Sequence, residues 1–363
     1  MIQTLEFPDS ASLEAKTLQD ALRVLGEGGI LVLPTETVYG LAARADLPAA
    51  LRRLREIKGR AQDQPFTWHL ANASKALLNS PWPKLMGRMA ERYWPGPLTL
   101  VRESSVQTEE QDLSEVIQDG WLGVRVPAHK GTLALLESAP FPIVATSANP
   151  SGSPAALDAS TAQENLAAPP DLILDGGPIK RGQDSTVLRV GPGQFRLLRE
   201  GLISLEDLKR TAGLKIAMIC TGNTCRSPMA EGLTHALLTE ALGTDPSTFG
   251  FEIQSMGTSA MDGMAPSEHS CVALAEQGLS LVDHRAQAAS PERVLKMDRV
   301  YCMTGSHMQR LLTSLPPGRG PTVELLSPEG LDVPDPFGGS LDQYRRTRDL
   351  INASLKQRLT DWI

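Results

Sequence analysis

Cys220 and Arg226 bracket five residues in the stretch ICTGNTCRSPMAE, residues 219 to 231. That spacing suits a loop whose backbone wraps a tetrahedral oxyanion while the arginine forks two of its oxygens. The apolar run Lys215 to Ile219 before it predicts a strand, and Met229-Ala230-Glu231 after it predicts a helix start. The loop then lies at a helix N-terminus, where anions bind and a cysteine is pushed toward thiolate. Thr221, Gly222, Asn223, Thr224 and Cys225 form the loop, with Gly222 and Asn223 where the chain must turn through unusual dihedrals. Ser227 follows the arginine, able to donate to the sulfur, and Pro228 suits a first helical turn. A phosphoryl-cysteine route needs a general acid for the leaving group, and Asp335 in VPDPFGGS is the candidate. Alone, a C-x5-R spacing arises by chance and an Asp before Pro is a turn former; the combination points to phosphate chemistry. Cys225 has two readings: a resolving thiol that captures an oxidised Cys220, or a small residue packed in the loop. Cys271 and Cys302 read as buried structural thiols on a helix and a strand.

Residues 1–205 carry neither a G-x-x-x-x-G-K-[ST] nor a strand-bound G-x-G-x-x-G phosphate cradle. Short polar constellations stand instead at predicted strand ends: PTETVYGL (34–41), KGRAQDQPFTWHL (58–70), GVRVPAH (123–129), ATSANPSG (145–152), DSTVL (184–188) and LLREG (197–201). Open sheets place ligands at such loops. Taken singly each has a bland reading: Lys58 and Arg60 as a solvated helix end, His69 as a satisfied core imidazole, Ser147 and Asn149 as turn formers.

The elements that must position these residues follow from the pattern. Short β-rich runs alternate with turn clusters up to Gly201, with helical patterns over Leu13 to Leu25 and Leu47 to Ile57. SLEDLKRTAG then forms a short charged bridge ending in glycine. Beyond it KIAMIC, FEIQS, DRVYCM and TVELL alternate with helical stretches near 227–242, 267–279, 305–314 and 340–361, which argues a parallel, doubly wound sheet. Gln107 to Asp119 reads as an acidic surface insertion. The 363 residues, 41% hydrophobic and 21% charged, suit about two globular domains. Four cysteines make no disulfide framework, so a reducing compartment and cytoplasmic location are expected. No apolar run approaches the ~18 residues of a membrane span, and MIQTLEFPDS lacks the apolar segment of a leader, so no membrane partner is expected. Net charge is −7, with 20 basic and 23 acidic side chains up to residue 205 and 15 and 19 after it. Neither part is basic, which argues against a broad nucleic-acid grip.

Over Lys215 to Ile363 the loop, PSEHSCVAL, DRVYCMTGSHMQRL and DPFGGS resemble the low-molecular-weight protein tyrosine phosphatase family. The resemblance implies nucleophile Cys220, phosphate-binding Arg226 and general acid Asp335, with no metal and no cofactor. CTGNTCRSPMAE with DPFGGS is similar to the protein arginine phosphatase branch: Thr224 stands where tyrosine phosphatases carry a bulkier apolar residue, and Phe337 replaces a tyrosine beside the acid. Phosphoarginine is therefore expected ahead of phosphotyrosine, on phosphorylated protein partners. The six constellations, in this order from about Thr17 to Gly201, resemble the YrdC-like threonylcarbamoyl-AMP synthase family. That implies condensation of L-threonine, bicarbonate and ATP to threonylcarbamoyl-AMP and pyrophosphate, toward threonylcarbamoyladenosine in tRNA, with the tRNA threonylcarbamoyl transferase machinery as a partner. By the same resemblance Lys58, Arg60, Gln64, Asn149 and Arg199 serve ATP, which arrives with Mg2+ and needs no protein metal ligand. Thr37, His69, Arg125, Ser147 and Ser185 hold threonine, Arg125 suiting its carboxylate. Ala61 departs from the family's usual proline and Gln64 from its frequent asparagine. The expected fold is α/β throughout: a YrdC-like twisted mixed sheet with helices over residues 1–205, a linker at 206–214, and a doubly wound parallel sheet of the low-molecular-weight phosphatase type over 215–363. The alternative for the first part is a non-catalytic YrdC-like RNA-binding module.

Overall fold

The computed structural model of the protein describes residues 2–10, 13–59, 65–74, 82–104, 113–150, 153–180, 182–316 and 320–363. They divide into two compact units, one of residues 1–191 and 195–208, the other of residues 192–194 and 209–363.

The first unit is built on a ten-stranded mixed sheet. In chain order its strands are β1 (Gln3–Glu6), β2 (Leu31–Leu33), β3 (Gly40–Arg44), β4 (Thr67–His69), β5 (Leu98–Glu103), β6 (Trp121–Arg125), β7 (Ile143–Ser147), β8 (Leu172–Asp175), β9 (Thr186–Gly191) and β10 (Gln194–Arg199). Their order across the sheet is β1-β8-β2-β3-β7-β4-β6-β5-β9-β10. Helices α1 (Ala15–Gly26), α2 (Pro48–Lys58), α3 (Lys84–Tyr93), α4 (Lys130–Ser138) and α5 (Ala159–Glu164) connect them. In α1, Thr17, Ala21 and Leu25 recur every four residues and are buried, so one stripe meets the core with Phe7, Leu33 and Leu174. Proline at the first position starts α2, and Gly59, in the left-handed conformation at φ +58°, stops it directly after Lys58. That stop sets the lysine at a buried helix end.

Period-two alternation makes the working face of the sheet. On β6, Leu122 and Val124 are fully buried core residues, whereas Trp121, Gly123 and Arg125 line a cavity on the opposite face. On β9, Leu188 and Val190 go to the core and Val187 and Arg189 to the cavity.

Three readings of the sequence change here. β1, β3 and β4, three to five residues long, are strands that the hydrophobic pattern did not single out, and α3 to α5 add helices to the two named from it. The charged bridge is helical, α6 (Leu205–Ala212), with acids in its first turn and bases in its last. Of the expected surface insertion, residues 107–112 lie outside the described ones, and its end turns inward: Leu113 and Val116 are buried and Gln118 and Asp119 line the cavity.

The second unit carries four parallel strands, β11 (Lys215–Cys220), β12 (Glu252–Gly257), β13 (Arg299–Cys302) and β14 (Thr322–Leu325), ordered β12-β11-β13-β14. Helices α7 (Arg226–Leu242), α8 (Glu268–Ala275), α9 (Pro291–Val294), α10 (Gly305–Ser314) and α11 (Leu341–Trp362) cover it. Ala217 and Ile219 of β11 pack with Val294 and Leu311 on one face. α11 packs on α7 and α8, and its terminal Trp362 is fully buried, donating to Tyr301 Oη at 2.9 Å. The strand order reverses about β11, so its carboxyl end opens at a topological switch point. Cys220 is the last residue of that strand.

Candidate functional site

A cavity of about 440 Å³ lies on the working face of the first unit. His69, Arg125, Ser147, Ser185 and Arg199 all line it, drawn from β4, β6, β7, the segment before β9, and β10. Lys58 reaches it through Ser147: its ammonium donates to Ser147 O at 2.5 Å, to Ser147 Oγ at 2.9 Å and to Asn149 Oδ1 at 2.8 Å. Thr37 is held against Arg125, whose Nη2 donates to Thr37 Oγ1 at 2.9 Å. Eight of the ten residues expected from the sequence thus converge. Arg60 and Gln64 lie outside the described residues.

Arg125 is buried and its charge is answered by Glu36, a residue the sequence reading passed over. Arg125 Nη2 meets Glu36 Oε1 at 2.7 Å, and the second Glu36 oxygen accepts from Ala128 N at 2.8 Å. Arg199 donates to Ser185 O at 3.0 Å and Ser185 Oγ at 2.9 Å and pairs with Asp184 at 3.3 Å. Burial pulls its pKa down, Asp184 acting the other way. Gly201 explains the glycine of LLREG: a Cβ there would stand 2.3 Å from Asp184 O, so no other residue lets this segment press against the Ser185 turn. Thr99, Trp121 and Arg189 also line the cavity and carried no motif signal.

His69 is 7% exposed. Its Nδ1 lies 3.0 Å from Thr67 O, and a carbonyl only accepts, so Nδ1 carries the proton and Nε2 keeps its lone pair. Burial, then the Arg125 charge, lowers its pKa to about 4. The folded protein therefore keeps the imidazole neutral where an unfolded chain would protonate it, at about pH 6.5 and below. Stability is unaffected by this group above pH 6.5 and falls as pH drops toward 4, by about 3 kcal/mol across the window. In chemical denaturation at stepped pH, His69→Gln should lack this component, giving a flatter profile than the wild type between those limits. Profiles of equal slope would contradict the assignment.

The second site is the loop from Cys220 to Ser227. Cys220 is 3% exposed, and its sulfur lies 2.9 Å from Ser227 Oγ and accepts from Asn223 N at 3.3 Å. Asn223 adopts φ +54°, the left-handed turn expected of this position. Its side chain fixes that conformation: Nδ2 donates to Ser227 Oγ at 2.9 Å and Ser255 Oγ at 2.8 Å, and Oδ1 accepts from Gln287 N at 2.8 Å. His284 Nε2 meets Asn223 O at 2.8 Å. A Cβ at Gly257 would lie 2.5 Å from Thr221 O, so β12 must end in glycine for the loop to seat. Arg226 is buried, donating to Val333 O at 3.1 Å and to Asp335 Oδ2 at 2.6 Å. This joins the nucleophile loop to the segment that carries the expected acid. Asp335 is half exposed and Phe337 beside it is 78% exposed. Thr224 is part-buried, its hydroxyl 3.6 Å from Cys225 Sγ.

Cys225 is buried between Ser267 Oγ at 3.4 Å and Tyr344 Oη at 3.3 Å, and burial, then Cys225, raises the Tyr344 pKa to about 12. Cys302 is buried as expected, which pushes its thiol up to about 12. Cys271 is only half-buried, a correction to the expectation. Ser255, Gln287 and His284 carried no local signal, because they meet the loop from elements 30 to 65 positions away.

Comparison with known proteins follows the same division. Residues 23–201 match the Sua5, YciO and YrdC family model, described as telomere recombination, and residues 215–361 match the low molecular weight phosphotyrosine protein phosphatase model. The threonylcarbamoyl-AMP synthase of Pyrococcus abyssi is 34% identical over 227 residues, 61% of this chain and 65% of that protein. The chain thus spans less than two thirds of that relative's length. A putative threonylcarbamoyl-AMP synthase of Mycobacterium leprae is 31% identical over 205 residues, 55% of this chain and 90% of that protein. Among solved structures, a doubly substituted Pyrococcus abyssi Sua5 aligns with TM-score 0.50 at 29% identity, covering 66% of this chain and 76% of that one. A low molecular weight protein tyrosine phosphatase from T. tengcongensis is 32% identical over 41% of this chain and 99% of its own, with TM-score 0.37. With its ten-stranded mixed sheet, the chain belongs to the Sua5/YrdC family through its first unit, and the match to the low molecular weight phosphotyrosine protein phosphatase model falls on the four-stranded parallel sheet of its second.

Proposed function

We propose that the protein is a bifunctional enzyme that forms threonylcarbamoyl-AMP in its first unit and hydrolyses protein phosphoarginine in its second. The observation that carries the first activity is the convergence on one cavity of a buried guanidinium, a neutral imidazole and a lysine fixed to Ser147 and Asn149. Arg125 takes the threonine carboxylate, and His69 Nε2 accepts from the amino acid's hydroxyl or amine. The amine and bicarbonate give a carbamate and water. A carbamate oxygen then attacks the α-phosphorus of ATP, and pyrophosphate leaves. Lys58 and Arg199 face the phosphates, and magnesium enters as the ATP complex. No covalent nucleophile is needed, so catalysis is positioning and charge neutralisation. The non-catalytic RNA-binding alternative is disfavoured, because an RNA surface has no use for buried charges such as Arg125 and Lys58 around a cavity. The product should appear by mass spectrometry only when threonine, bicarbonate and ATP are all supplied; a mass gain independent of threonine would contradict this reading.

For the second activity the supporting observation is the sulfur of Cys220 held between Asn223 N and Ser227 Oγ beside an Arg226–Asp335 pair. The sulfur attacks phosphorus, and the leaving nitrogen or oxygen takes the proton of Asp335. Water then attacks the phosphoryl-cysteine, returning its proton to Asp335 and releasing phosphate. The substrate phosphate draws the Arg226 fork from Asp335, and the released carboxylate, half exposed, takes from solvent the proton that it then gives to the leaving group. Thr224 is part of the loop, and a hydroxyl at this position suits a polar leaving group, which favours phosphoarginine over phosphotyrosine. Thr224→Ile is expected to shift the kcat/KM ratio toward phosphotyrosine by about tenfold. An unchanged ratio in matched peptide assays would remove the basis for this substrate choice.

A further inference from the structure

His307, in α10, is 6% exposed, and both of its ring nitrogens meet hydroxyls. Nε2 lies 2.8 Å from Thr221 Oγ1, and Nδ1 lies 2.8 Å from Thr304 Oγ1. Thr304 is the N-cap of α10: its hydroxyl accepts from His307 N at 3.4 Å and meets Ser306 Oγ at 2.8 Å. Thr221 directly follows the nucleophile and is exposed. The loop backbone there is fixed, since Thr221 O accepts from Ser259 N at 2.9 Å. A buried imidazole thus reaches the rim of the phosphate loop and holds the first hydroxyl beyond Cys220.

The charged groups around this imidazole are Arg226 on α7, Asp335 and Asp332 on the segment before α11, and Arg310 on α10 itself. Burial, then Arg226, keeps His307 below the ordinary histidine range, so it is neutral near pH 7. A neutral imidazole offers one donor and one acceptor, so the Thr221–His307–Thr304 chain runs in either direction without adding charge. In both directions a lone pair of Thr221 Oγ1 is left for a ligand at the loop mouth, and the imidazole that holds this hydroxyl is itself uncharged.

We propose that the Thr221–His307 pair selects the leaving group, Thr221 Oγ1 accepting an N–H of the departing guanidinium while His307 holds that hydroxyl in place. This rests on the phosphatase reading above. A guanidinium carries N–H donors next to the breaking P–N bond, whereas a phenol presents only its oxygen and an apolar ring edge. A site with an acceptor fixed there penalises the substrate that leaves it unpaired. His307 is a positioning residue in this scheme; Thr221 touches substrate.

The test uses the full-length protein and two peptides of one flanking sequence, carrying phosphoarginine or phosphotyrosine. kcat/KM is measured for wild type, Thr221→Val, His307→Phe, the double variant, and His307→Gln. Each single substitution is expected to lower the phosphoarginine-to-phosphotyrosine ratio by about tenfold, the loss of one hydrogen bond to a charged group. The double variant should fall no further than Thr221→Val alone, since one interaction is removed twice. His307→Gln, which keeps a polar atom near Thr221, should recover part of the ratio. Equal losses on both substrates, or an unchanged ratio in Thr221→Val, would overturn the inference while leaving the phosphatase reading intact. A wild type inert toward phosphoarginine would overturn both.

Discussion

Cys220→Ser is expected to remove phosphatase turnover by more than about 10⁴-fold while pyrophosphate release from ATP continues at the wild-type rate. The sulfur accepts from Asn223 N and meets Ser227 Oγ at 2.9 Å, and a serine hydroxyl fits the same two partners. Folding should therefore be preserved, and the loss is chemical. An alkoxide is far harder to form than a thiolate, so the nucleophile disappears and the phosphate cradle stays. Ser227→Ala should act in the same direction with a smaller effect, because it removes one of two contacts to the sulfur and also leaves Asn223 Nδ2 with Ser255 alone. Assay of both variants with phosphoarginine peptide and with an aryl phosphate separates loss of the nucleophile from loss of substrate recognition.

The second large effect is expected at Arg125. Its guanidinium is buried and answers the Glu36 carboxylate at 2.7 Å. Arg125→Leu leaves that largely buried carboxylate, 15% exposed, without its cation and with the Ala128 N–H as its remaining hydrogen bond among the described residues. Breaking a buried pair from one side costs about 3–5 kcal/mol. The midpoint of the first unit's thermal unfolding should fall by about 10 °C, seen by calorimetry. Threonine-dependent synthesis should be lost as well, since the cation that meets the threonine carboxylate is gone. The double variant Glu36→Gln with Arg125→Leu separates the two roles: stability should return in large part while synthesis stays absent. Recovery of synthesis in the double variant would place the carboxylate contact elsewhere.

The loop from Cys220 to Ser227 was the most legible part of the sequence because its chemistry is local. Strand, turn, positive-φ asparagine and helix start all lie within eight residues, and the structure has each of them there. The strands of the second unit were equally plain, since KIAMIC is an apolar run and TVEL alternates polar with apolar residues, each bounded by turns. In the first unit the polar constellations were visible as strings but their partners were not. Glu36 sits inside PTETVYGL, yet only the fold brings β6 beside it and turns it into the counter-ion of Arg125. The alternation of Trp121, Gly123 and Arg125 against Leu122 and Val124 was readable, but which face held the cavity depended on β4, β7 and β9, three strands distant in sequence. β4 itself, three residues long, is too short for periodicity to register. His307 stands in DRVYCMTGSHMQRL, which reads only as a strand and a helix, and nothing near it in the chain announces Thr221, 86 positions earlier.

Two unrelated chemistries in one chain are tested most directly by pyrophosphate release from ATP, with and without L-threonine, in the Cys220→Ser protein supplied with bicarbonate. The account predicts release that requires threonine and matches the wild type, alongside complete loss of phosphoarginine hydrolysis in the same preparation. Release that ignores threonine, or that disappears with Cys220, would contradict it.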